Sequence, residues 1–199
     1  SRRQRQMCIR DSPGTLKIIY KNSSLKKENY YKLYSYNEVS QINPKIVSFL
    51  ECSLKDDFYD KIFDLPNCIV VLSSSSEQNL AQQRKVFIDC LKLKIENPII
   101  IRRNYGSMGN DKFLLKSATD IGGLQIDGFG DGIWFDRLNN LNFTNETAFG
   151  ILQASRTRIS KTEYISCPSC GRTLFDLQET TAKIRSKTSH LKGLKIGIM

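Results

Sequence analysis

Apolar residues follow two alternating patterns along the chain. Residues 68–72 form a continuous apolar run, which is typical of a strand buried on both faces of a parallel sheet, and residues 98–102, with three consecutive isoleucines, predict the next buried strand. The segment after each run carries apolar residues at the spacing of a helix. Strands that alternate with helices predict a parallel α/β architecture, and we expect a partial (β/α) barrel. The pattern predicts further strands at 16–20, 124–127 and 133–136 and helices at 53–63, 77–94, 112–121 and 145–156.

Three segments near the start of the chain have weaker patterns. Residues 1–14 have the composition of a linker and end in the turn sequence Asp11-Ser12-Pro13-Gly14. Residues 21–36 are polar and rich in tyrosine, so we predict a loop or an irregular insertion there. Residues 45–50 fit either a strand or the start of a helix.

The last forty residues predict a separate strand, helix, strand unit. Residues 162–165 and 194–198 have the composition of strands, and residues 173–190 form the helix between them. This is about the length that a right-handed parallel crossover requires. The apolar face predicted for the helix consists of Leu174, Leu177, Thr181, Ile184 and Leu191.

Two cysteines follow the first strand of this unit, within the sequence Ser166-Cys167-Pro168-Ser169-Cys170-Gly171-Arg172. At the start of a helix, backbone N–H groups and the helix dipole stabilise thiolate charge. Two thiolates at this spacing can bind one metal ion or one iron–sulfur cluster. The motif alone leaves three alternatives open, since a zinc knuckle, a dithiol redox pair and half of a cluster site all use it.

The composition narrows the class of protein. The chain has 199 residues, of which 40% are hydrophobic, enough for a sizeable core. No apolar run approaches the roughly 20 residues of a membrane span, and no secretion signal is recognisable. We therefore expect the six cysteines not to form a disulfide framework. Cys68 and Cys90 lie inside apolar patterns, which predicts packed thiols.

The net charge of +10 could serve nucleic acid, an anionic small molecule or an acidic electron carrier. The chain has one histidine, so it lacks the histidine pair of a zinc finger, and it has no aromatic RNA-binding signature. We expect neither nucleic acid nor a membrane among the partners. Residues 159–199 contain seven basic and three acidic residues. This balance suits a diphosphate or an acidic ferredoxin, although a solvated lysine-rich surface explains it equally well.

Other motifs favour structural roles, and we assign no catalytic residue to this chain. The glycines of residues 128–132 fail the dinucleotide fingerprint, because its third glycine would fall at Ile133. His190, at the end of a predicted helix, fits the helix dipole better than catalysis. We predict turn or cap roles for the aspartates, which are Asp120, Asp127, Asp131 and Asp136. For the arginines we favour salt-bridged structural roles over phosphate binding; these are Arg156, Arg158 and Arg172.

One run of sequence resembles a known family. Residues 162–178, TEYISCPSCGRTLFDLQ, and residues 187–191, KTSHL, are similar to the 4-hydroxy-3-methylbut-2-enyl diphosphate synthases, the GcpE or IspG family. The resemblance implies that this is the start of a domain whose [4Fe-4S] cluster is held by three cysteines and one glutamate. Cys167 and Cys170 would be the first two ligands. The other two ligands belong to a Gly-Cys-x-Val-Asn-Gly-x-Gly-Glu motif that is absent from this chain, so only two of the four are present.

The resemblance also implies a domain organisation. The long form of the family, found in plants, chlamydiae and apicomplexan parasites, carries a barrel-like insert before its cluster domain. Residues from Asp111 onward resemble the end of that insert, whereas upstream the likeness is only architectural. We expect a linker over 1–14, the insert domain over 15–158 and the beginning of the cluster domain over 159–199.

The function implied by the resemblance is reductive dehydroxylation of 2-C-methyl-D-erythritol 2,4-cyclodiphosphate to 4-hydroxy-3-methylbut-2-enyl diphosphate, in non-mevalonate isoprenoid biosynthesis. The implied partners are the diphosphate substrate, a ferredoxin or flavodoxin, and the rest of the same enzyme, as a homodimer in a plastid- or apicoplast-type stroma. We expect residues 1–199 alone to be inactive. The alternative is a zinc-stabilised interaction domain whose basic face docks an acidic partner.

Overall fold

The computed structural model describes residues 18–21, 30–74, 80–137, 140–166 and 175–198. The chain divides into two compact units, Ser1–Asn104 with Gly130–Trp134, and Tyr105–Phe129 with Phe135–Met199. None of the helices within the described ranges combines the length and the apolar character needed to cross a membrane.

The described residues form helices and strands in the following order along the chain. The elements are β1 Ile18–Tyr20, β2 Tyr30–Ser35, a 3-10 helix Tyr36–Gln41, β3 Ser48–Ser53, α1 Tyr59–Phe63, β4 Cys68–Ser74, α2 Leu80–Lys92, β5 Ile99–Asn104, α3 Asn110–Ile126, β6 Gly132–Asp136, α4 Leu141–Ala154, β7 Glu163–Ser166, α5 Leu177–Thr188 and β8 Lys195–Ile198.

Strands β1 to β6 lie side by side in chain order in one sheet. The sheet is parallel and curled into a half-barrel, with β3 and β4 paired over six residues from Ser48 opposite Cys68 to Ser53 opposite Ser73. This confirms the predicted α/β class and the partial barrel.

Alternate residues of the strands form the two apolar faces of the sheet. On one face Leu33, Phe49 and Val71 are buried, and partly buried side chains including Trp134 pack around them. The alternate positions are also buried, with Leu50, Val70, Leu72, Ile99 and Ile101 fully inaccessible to solvent. The helices of this unit contribute buried Ile62 from α1 and buried Phe87 from α2. Burial on both faces explains the continuous apolar runs of β4 and β5.

Strand β2 corrects the prediction of a loop over 21–36. It pairs in parallel with both β1 and β3, and Leu33 enters the apolar cluster. The ring of Tyr31 lies 6.0 Å from the ring of Phe49, edge to face. Tyrosines are common in strands, but the lysines and serines around them hide the alternation, and only pairing with neighbouring strands reveals it.

The strand predicted at 124–127 is also wrong, because these residues form the end of α3 and the turn that follows. Phe113, Ile121 and Leu124 are fully buried at helical spacing, which the adjacent glycines at 122 and 123 concealed. The helix is followed by Gly128 and Gly130 at φ values of 81° and 85°, a left-handed conformation that glycine adopts without strain.

Two shorter revisions concern the segment before β4. Residues 45–50, where both alternatives were open, contribute to strand β3. Helix α1 is shorter than the predicted 53–63, because Ser53 still belongs to β3 and its N–H donates to the Asp56 carboxylate at 2.6 Å. The predicted linker over 1–14 lies outside the described residues, and the predicted boundary at 158/159 stays a prediction.

The second unit contains α3, α4 and the β7-α5-β8 segment. Its aromatic core consists of Tyr105, Phe113 and Phe135, whose ring centroids lie 5.2 to 5.6 Å apart in edge-to-face geometry. Strands β7 and β8 form a separate two-stranded sheet.

Candidate metal centre

The segment around the cysteine pair is a parallel strand, helix, strand unit. Strands β7 and β8 pair in parallel, with Glu163 opposite Lys195 and Ser166 opposite Ile198, and α5 connects them. The Glu163 N–H also donates to the Leu194 carbonyl at 2.9 Å. The predicted unit is therefore confirmed, and its two strands end at the same edge.

Helix α5 begins later than predicted. The side chain of Asp176 accepts a hydrogen bond from the Glu179 N–H at 2.9 Å, so that Asp176 is the N-cap and Leu177 is the first helical residue. An N-cap has a non-helical backbone, which sets the helix boundary. Of the predicted helix, residues 173 and 174 lie outside the described residues.

The carboxyl-terminal half of α5 is held against β7 by side chains. The hydroxyl groups of Tyr164 and Thr188 lie 2.8 Å apart, and the Arg185 guanidinium lies 5.1 Å from the centre of the Tyr164 ring. The Thr162 hydroxyl donates to the Leu191 carbonyl beyond the helix. These contacts fix the helix relative to the strand that leads to the cysteine pair.

Cys167 and Cys170, the predicted metal ligands, lie outside the described residues. The described strand ends at Ser166, which directly precedes Cys167 in the sequence. The carboxyl edge of a parallel sheet is a common place for ligands to bind.

A cleft of about 490 Å³ opens beside this edge, between Ser166 and α5. The described residues that line it carry polar groups and one cation but no carboxylate. Thr181 lines the cleft and is only partly buried as a residue, but its hydroxyl oxygen is inaccessible to solvent and has no hydrogen-bond partner. The lining residues are Ser166, Leu177, Gln178, Thr181, Ala182, Arg185 and Ser186.

Comparison with known proteins shows which family the segment around the cysteine motif resembles. The sequence model of the GcpE protein C-terminal domain matches residues 163–199, which are β7, α5, β8 and the cysteine pair between them. The chain is 46% identical over 136 residues to a 4-hydroxy-3-methylbut-2-en-1-yl diphosphate synthase (flavodoxin) of Bacteroides thetaiotaomicron, an alignment that covers 67% of this chain and 22% of that protein. The chain is therefore similar to a part of the GcpE family of synthases.

Two further relatives with the same name extend the similarity. Identity is 37% over 179 residues with the Phocaeicola vulgatus protein, covering 86% of this chain and 29% of the relative. The identity with the protein of Leptospira interrogans serogroup Icterohaemorrhagiae serovar copenhageni is 37% over 209 residues, which covers 92% of this chain and 31% of that relative. The chain thus spans about a fifth to a third of the length of these curated relatives. Coverage of 92% must include most residues upstream of Asp111, so the sequence similarity is wider than that segment alone.

The GcpE resemblance implies an iron–sulfur cluster, and the residues present fit such a group. Cysteine thiolates are the ligands that clusters use, and the sequence places two of them after β7. The orphaned Thr181 hydroxyl and the Arg185 guanidinium provide a hydrogen-bond donor and a positive charge beside the same edge. Cluster sulfurs accept hydrogen bonds, and thiolate ligation makes the group anionic. A cleft whose described lining has no carboxylate would not repel such an anionic group.

The described cysteines outside this segment are packed in the interior. Cys52, Cys68 and Cys90 are buried and form no disulfide, which confirms the prediction of packed thiols for Cys68 and Cys90. Burial raises the pKa of the Cys68 thiol to about 11 and that of Cys52 further still, so both stay protonated at neutral pH. Across the described ranges, no group of three or more histidine, cysteine or acidic side chains could hold a metal ion. The described residues therefore give no support to the zinc-stabilised alternative.

Several other candidate residues have structural contacts. The Asp131 carboxylate accepts from the Ile99 N–H at 2.8 Å, and the Asp131 N–H donates to the Ile99 carbonyl at 2.7 Å. The Tyr105 hydroxyl donates to Asp120 at 3.3 Å. Arg158 stacks on Phe149 at 4.8 Å. His190 lies in the turn after α5. None of these residues lines the cleft beside Ser166.

Sequence reasoning missed Arg137, which follows β6. Its side chain is buried, with 4% of the residue exposed, and it donates to the Met108 carbonyl at 3.0 Å, Asn110 at 2.6 Å and Thr144 at 3.3 Å. The guanidinium also lies 4.4 Å from the centre of the Phe113 ring. Arginine is seldom fully buried, so the sequence carried no signal for this role. Arg137 joins the first turns of α3 and α4 through neutral acceptors.

Proposed function

We propose that this chain forms part of a reductive dehydroxylase that converts 2-C-methyl-D-erythritol 2,4-cyclodiphosphate to 4-hydroxy-3-methylbut-2-en-1-yl diphosphate. The observation that carries the proposal is the cysteine pair directly after β7, inside a parallel unit that matches the GcpE C-terminal domain. The curated relatives named as synthases support it. Because the chain spans only part of their length, the reaction belongs to a longer protein.

In this proposal Cys167 and Cys170 hold two irons of a [4Fe-4S] cluster, and ligands outside this chain complete it. When bound, the cluster would pass two electrons, one at a time, from the electron donor to the substrate, and would offer an iron that can accept a substrate oxygen, because an oxygen ligand is held less firmly than a thiolate. The cyclic diphosphate opens and, with the uptake of two electrons and two protons, one oxygen leaves as water. The part of this chain is to position the two thiolates at the sheet edge by means of β7 and the capped helix α5.

The electron donor is proposed to be a flavodoxin or a ferredoxin. The relatives are named as flavodoxin-dependent synthases, and α5 presents the exposed basic residues Lys183, Arg185 and Lys187. Lys183 is paired with Glu179 at 2.6 Å, whereas Arg185 extends over Tyr164. A basic surface favours encounter with an acidic electron carrier, more strongly at low ionic strength.

The cysteine pair is tested by Cys167→Ser and Cys170→Ser in the full-length protein that contains this chain, purified without oxygen. We expect each variant to lose most of its iron and acid-labile sulfide and to lose turnover of the cyclodiphosphate. The control is Cys68→Ala, which alters a buried thiol elsewhere and should leave cluster content unchanged. Stoichiometric zinc without sulfide in the unaltered protein, or full cluster content in both serine variants, would contradict the proposal.

Homodimer formation and residence in a plastid- or apicoplast-type stroma are further parts of the proposal and rest on the resemblance alone. Analytical ultracentrifugation of the full-length protein tests the dimer, for which a monomer at micromolar concentration is the contrary result. Immunodetection in fractionated organelles of the source cell tests the location.

A further inference from the structure

A cleft of about 580 Å³ lies at the edge of the half-barrel where the strands begin. Val47 directly precedes β3, Asn67 directly precedes β4 and Pro98 directly precedes β5. Since these strands are parallel, the three residues lie at the amino edge of the sheet. This amino-edge cleft belongs entirely to the first unit and to residues that the structure describes. Its apolar lining residues are Val47, Phe63, Pro66, Ile69, Ile95 and Pro98.

Two asparagine side chains hold the walls of the amino-edge cleft in place. The buried Asn97 amide donates to the Leu65 carbonyl at 2.8 Å and to the Cys68 carbonyl at 2.9 Å. The Asn67 amide donates to the Pro44 carbonyl at 2.9 Å. These bonds connect the three segments that precede β3, β4 and β5, so the cleft is formed by the fold itself.

The rim of the amino-edge cleft carries exposed apolar side chains. Phe63 is 71% exposed, and Ile46, which precedes Val47, is 60% exposed. Val47 and Leu93 are exposed as well, and Leu93 precedes the lining residue Lys94. Single exposed apolar residues are normal, but a group of them at one edge indicates a surface that something else covers.

The charges around this cleft favour a polypeptide as the occupant. Lys94 and Glu96 line it and are exposed, and within the described part of the chain neither forms an ion pair. An apolar centre with a charged rim is the usual anatomy of a protein interface. In (β/α) barrels small ligands bind at the carboxyl ends of the strands, whereas the amino ends serve stability.

The course of the chain indicates which polypeptide lies there. Strand β1 begins at Ile18 and is parallel to β2, so the chain enters the sheet at the amino edge. Three strand spacings, roughly 14 Å, separate β1 from β4. The alignments cover only 22% to 31% of the relatives, and the sequence model that matches residues 163–199 is that of a C-terminal domain. Most of the remaining length should therefore precede β1.

We propose that the amino-edge cleft is the docking site for the part of the full-length polypeptide that precedes this chain, with an apolar side chain of that part seated beside Phe63 and Ile69. The inference rests on the proposed function in one respect, since it takes the chain to be part of a longer protein. It assigns the half-barrel the role of a platform that fixes the preceding part of the protein.

The experiment places the photoreactive amino acid p-benzoylphenylalanine in the full-length protein in place of Phe63, of Ile46 or of Leu91. Leu91 is the control, because it is exposed on α2 and does not line the cleft. A mixture of ordinary and isotope-labelled protein is irradiated, and mass spectrometry identifies the cross-linked peptides. The mixture tells a cross-link within one polypeptide from a cross-link between two copies.

We expect the labels at Phe63 and Ile46 to cross-link within one polypeptide to peptides that precede this chain, and the label at Leu91 to form no such product. Phe63→Asp should abolish the cross-link of the Ile46 label, whereas Leu91→Asp should leave it intact. Circular dichroism checks that each variant is folded. If the label at Phe63 prevents folding, the label at Ile46 decides the result.

Cross-links to a second copy, to residues 1–199 of the same polypeptide or to no protein segment overturn the inference. Retention of the Ile46 cross-link in Phe63→Asp also overturns it. Failure of the proposed function has a different result, because absence of cluster and turnover from the unaltered protein contradicts that function whether or not the cross-link forms. Absence of the cross-link from an active protein contradicts the docking alone.

Discussion

Glu51 is the residue around which the charges of the first unit are arranged. Its carboxylate accepts from Arg102 at 2.7 Å, Lys21 at 2.8 Å and Ser73 at 3.2 Å. The Arg102 guanidinium also lies 4.8 Å from the centre of the Trp134 ring. Burial opposes ionisation, but the hydrogen bond from Lys21 and the charge of Arg102 outweigh it and lower the pKa of Glu51. The group therefore stabilises the folded state when it is ionised.

We predict that Glu51→Gln reduces the pH dependence of stability in this unit. A carboxyl group with a lowered folded-state pKa stabilises the fold above its unfolded pKa of about 4.3 and loses that contribution as pH falls through the folded value. The unaltered protein should thus lose protection of β3 and β5 amides between pH 7 and pH 3.5 by more than the glutamine variant does. Hydrogen exchange of the full-length protein, corrected for intrinsic rates, measures the difference.

The control variant is Glu146→Gln, because Glu146 is exposed. Its amide protection should change with pH as that of the unaltered protein does. An equal loss of protection in the Glu51 and Glu146 variants would mean that Glu51 does not stabilise the folded sheet.

At the scale of elements, side-chain capping defines where α5 starts. Asp176 caps α5 through the Glu179 N–H, as Asn140 caps α4 through the Phe143 N–H at 3.1 Å. Among its described residues α5 has none that are buried, so packing contributes less to its stability than to that of α2 or α3. Its first turn depends on the cap and on the negative charge near the helix N-terminus.

We predict that Asp176→Ala destabilises the first turns of α5 by about 1 kcal/mol, the usual cost of losing an N-cap. Amides in residues 177–182 should exchange faster, and because this stretch lines the cleft, iron content should fall as well. Asp176→Asn keeps an acceptor at the cap and should cost only a few tenths of that amount, about 0.3 kcal/mol. Equal exchange rates in the alanine and asparagine variants would show that the cap does not define the helix start.

At the scale of the whole molecule, the half-barrel and the β7-α5-β8 unit represent only part of the curated relatives. The first unit consists of a parallel sheet with buried faces and thiols held in the neutral form. The proposed cluster ligands lie in the other unit and number two of the four that the resemblance implies. The proposed reaction therefore needs residues beyond those of this chain.

We predict that purified residues 1–199 do not turn over the cyclodiphosphate without oxygen, even with reduced flavodoxin present. The full-length protein, reconstituted with iron and sulfide under the same conditions, is the positive control. Turnover by residues 1–199 with no other polypeptide would show that the two cysteines and the half-barrel suffice.

Local pattern was enough to predict much of this protein. The continuous apolar runs of β4 and β5 and the intervening helix α2 follow from side-chain periodicity, which acts within a few residues. The cysteine pair and its place after a strand could be read in the same way, and the sequence run around Cys167 and Cys170 was specific enough to indicate the family.

Other features arose only from contacts between distant parts of the chain. The tyrosine-rich segment becomes strand β2 because β1 and β3 pair with it on both sides. Arg137 becomes buried because Met108, Asn110 and Thr144 accept its hydrogen bonds. Thr181 appeared in the sequence as one apolar-face position among several, and only the packing of α5 beside Ser166 left its hydroxyl buried without an acceptor. The physical reason is that pairing, burial and hydrogen-bond satisfaction depend on neighbours in space, which a local pattern does not specify.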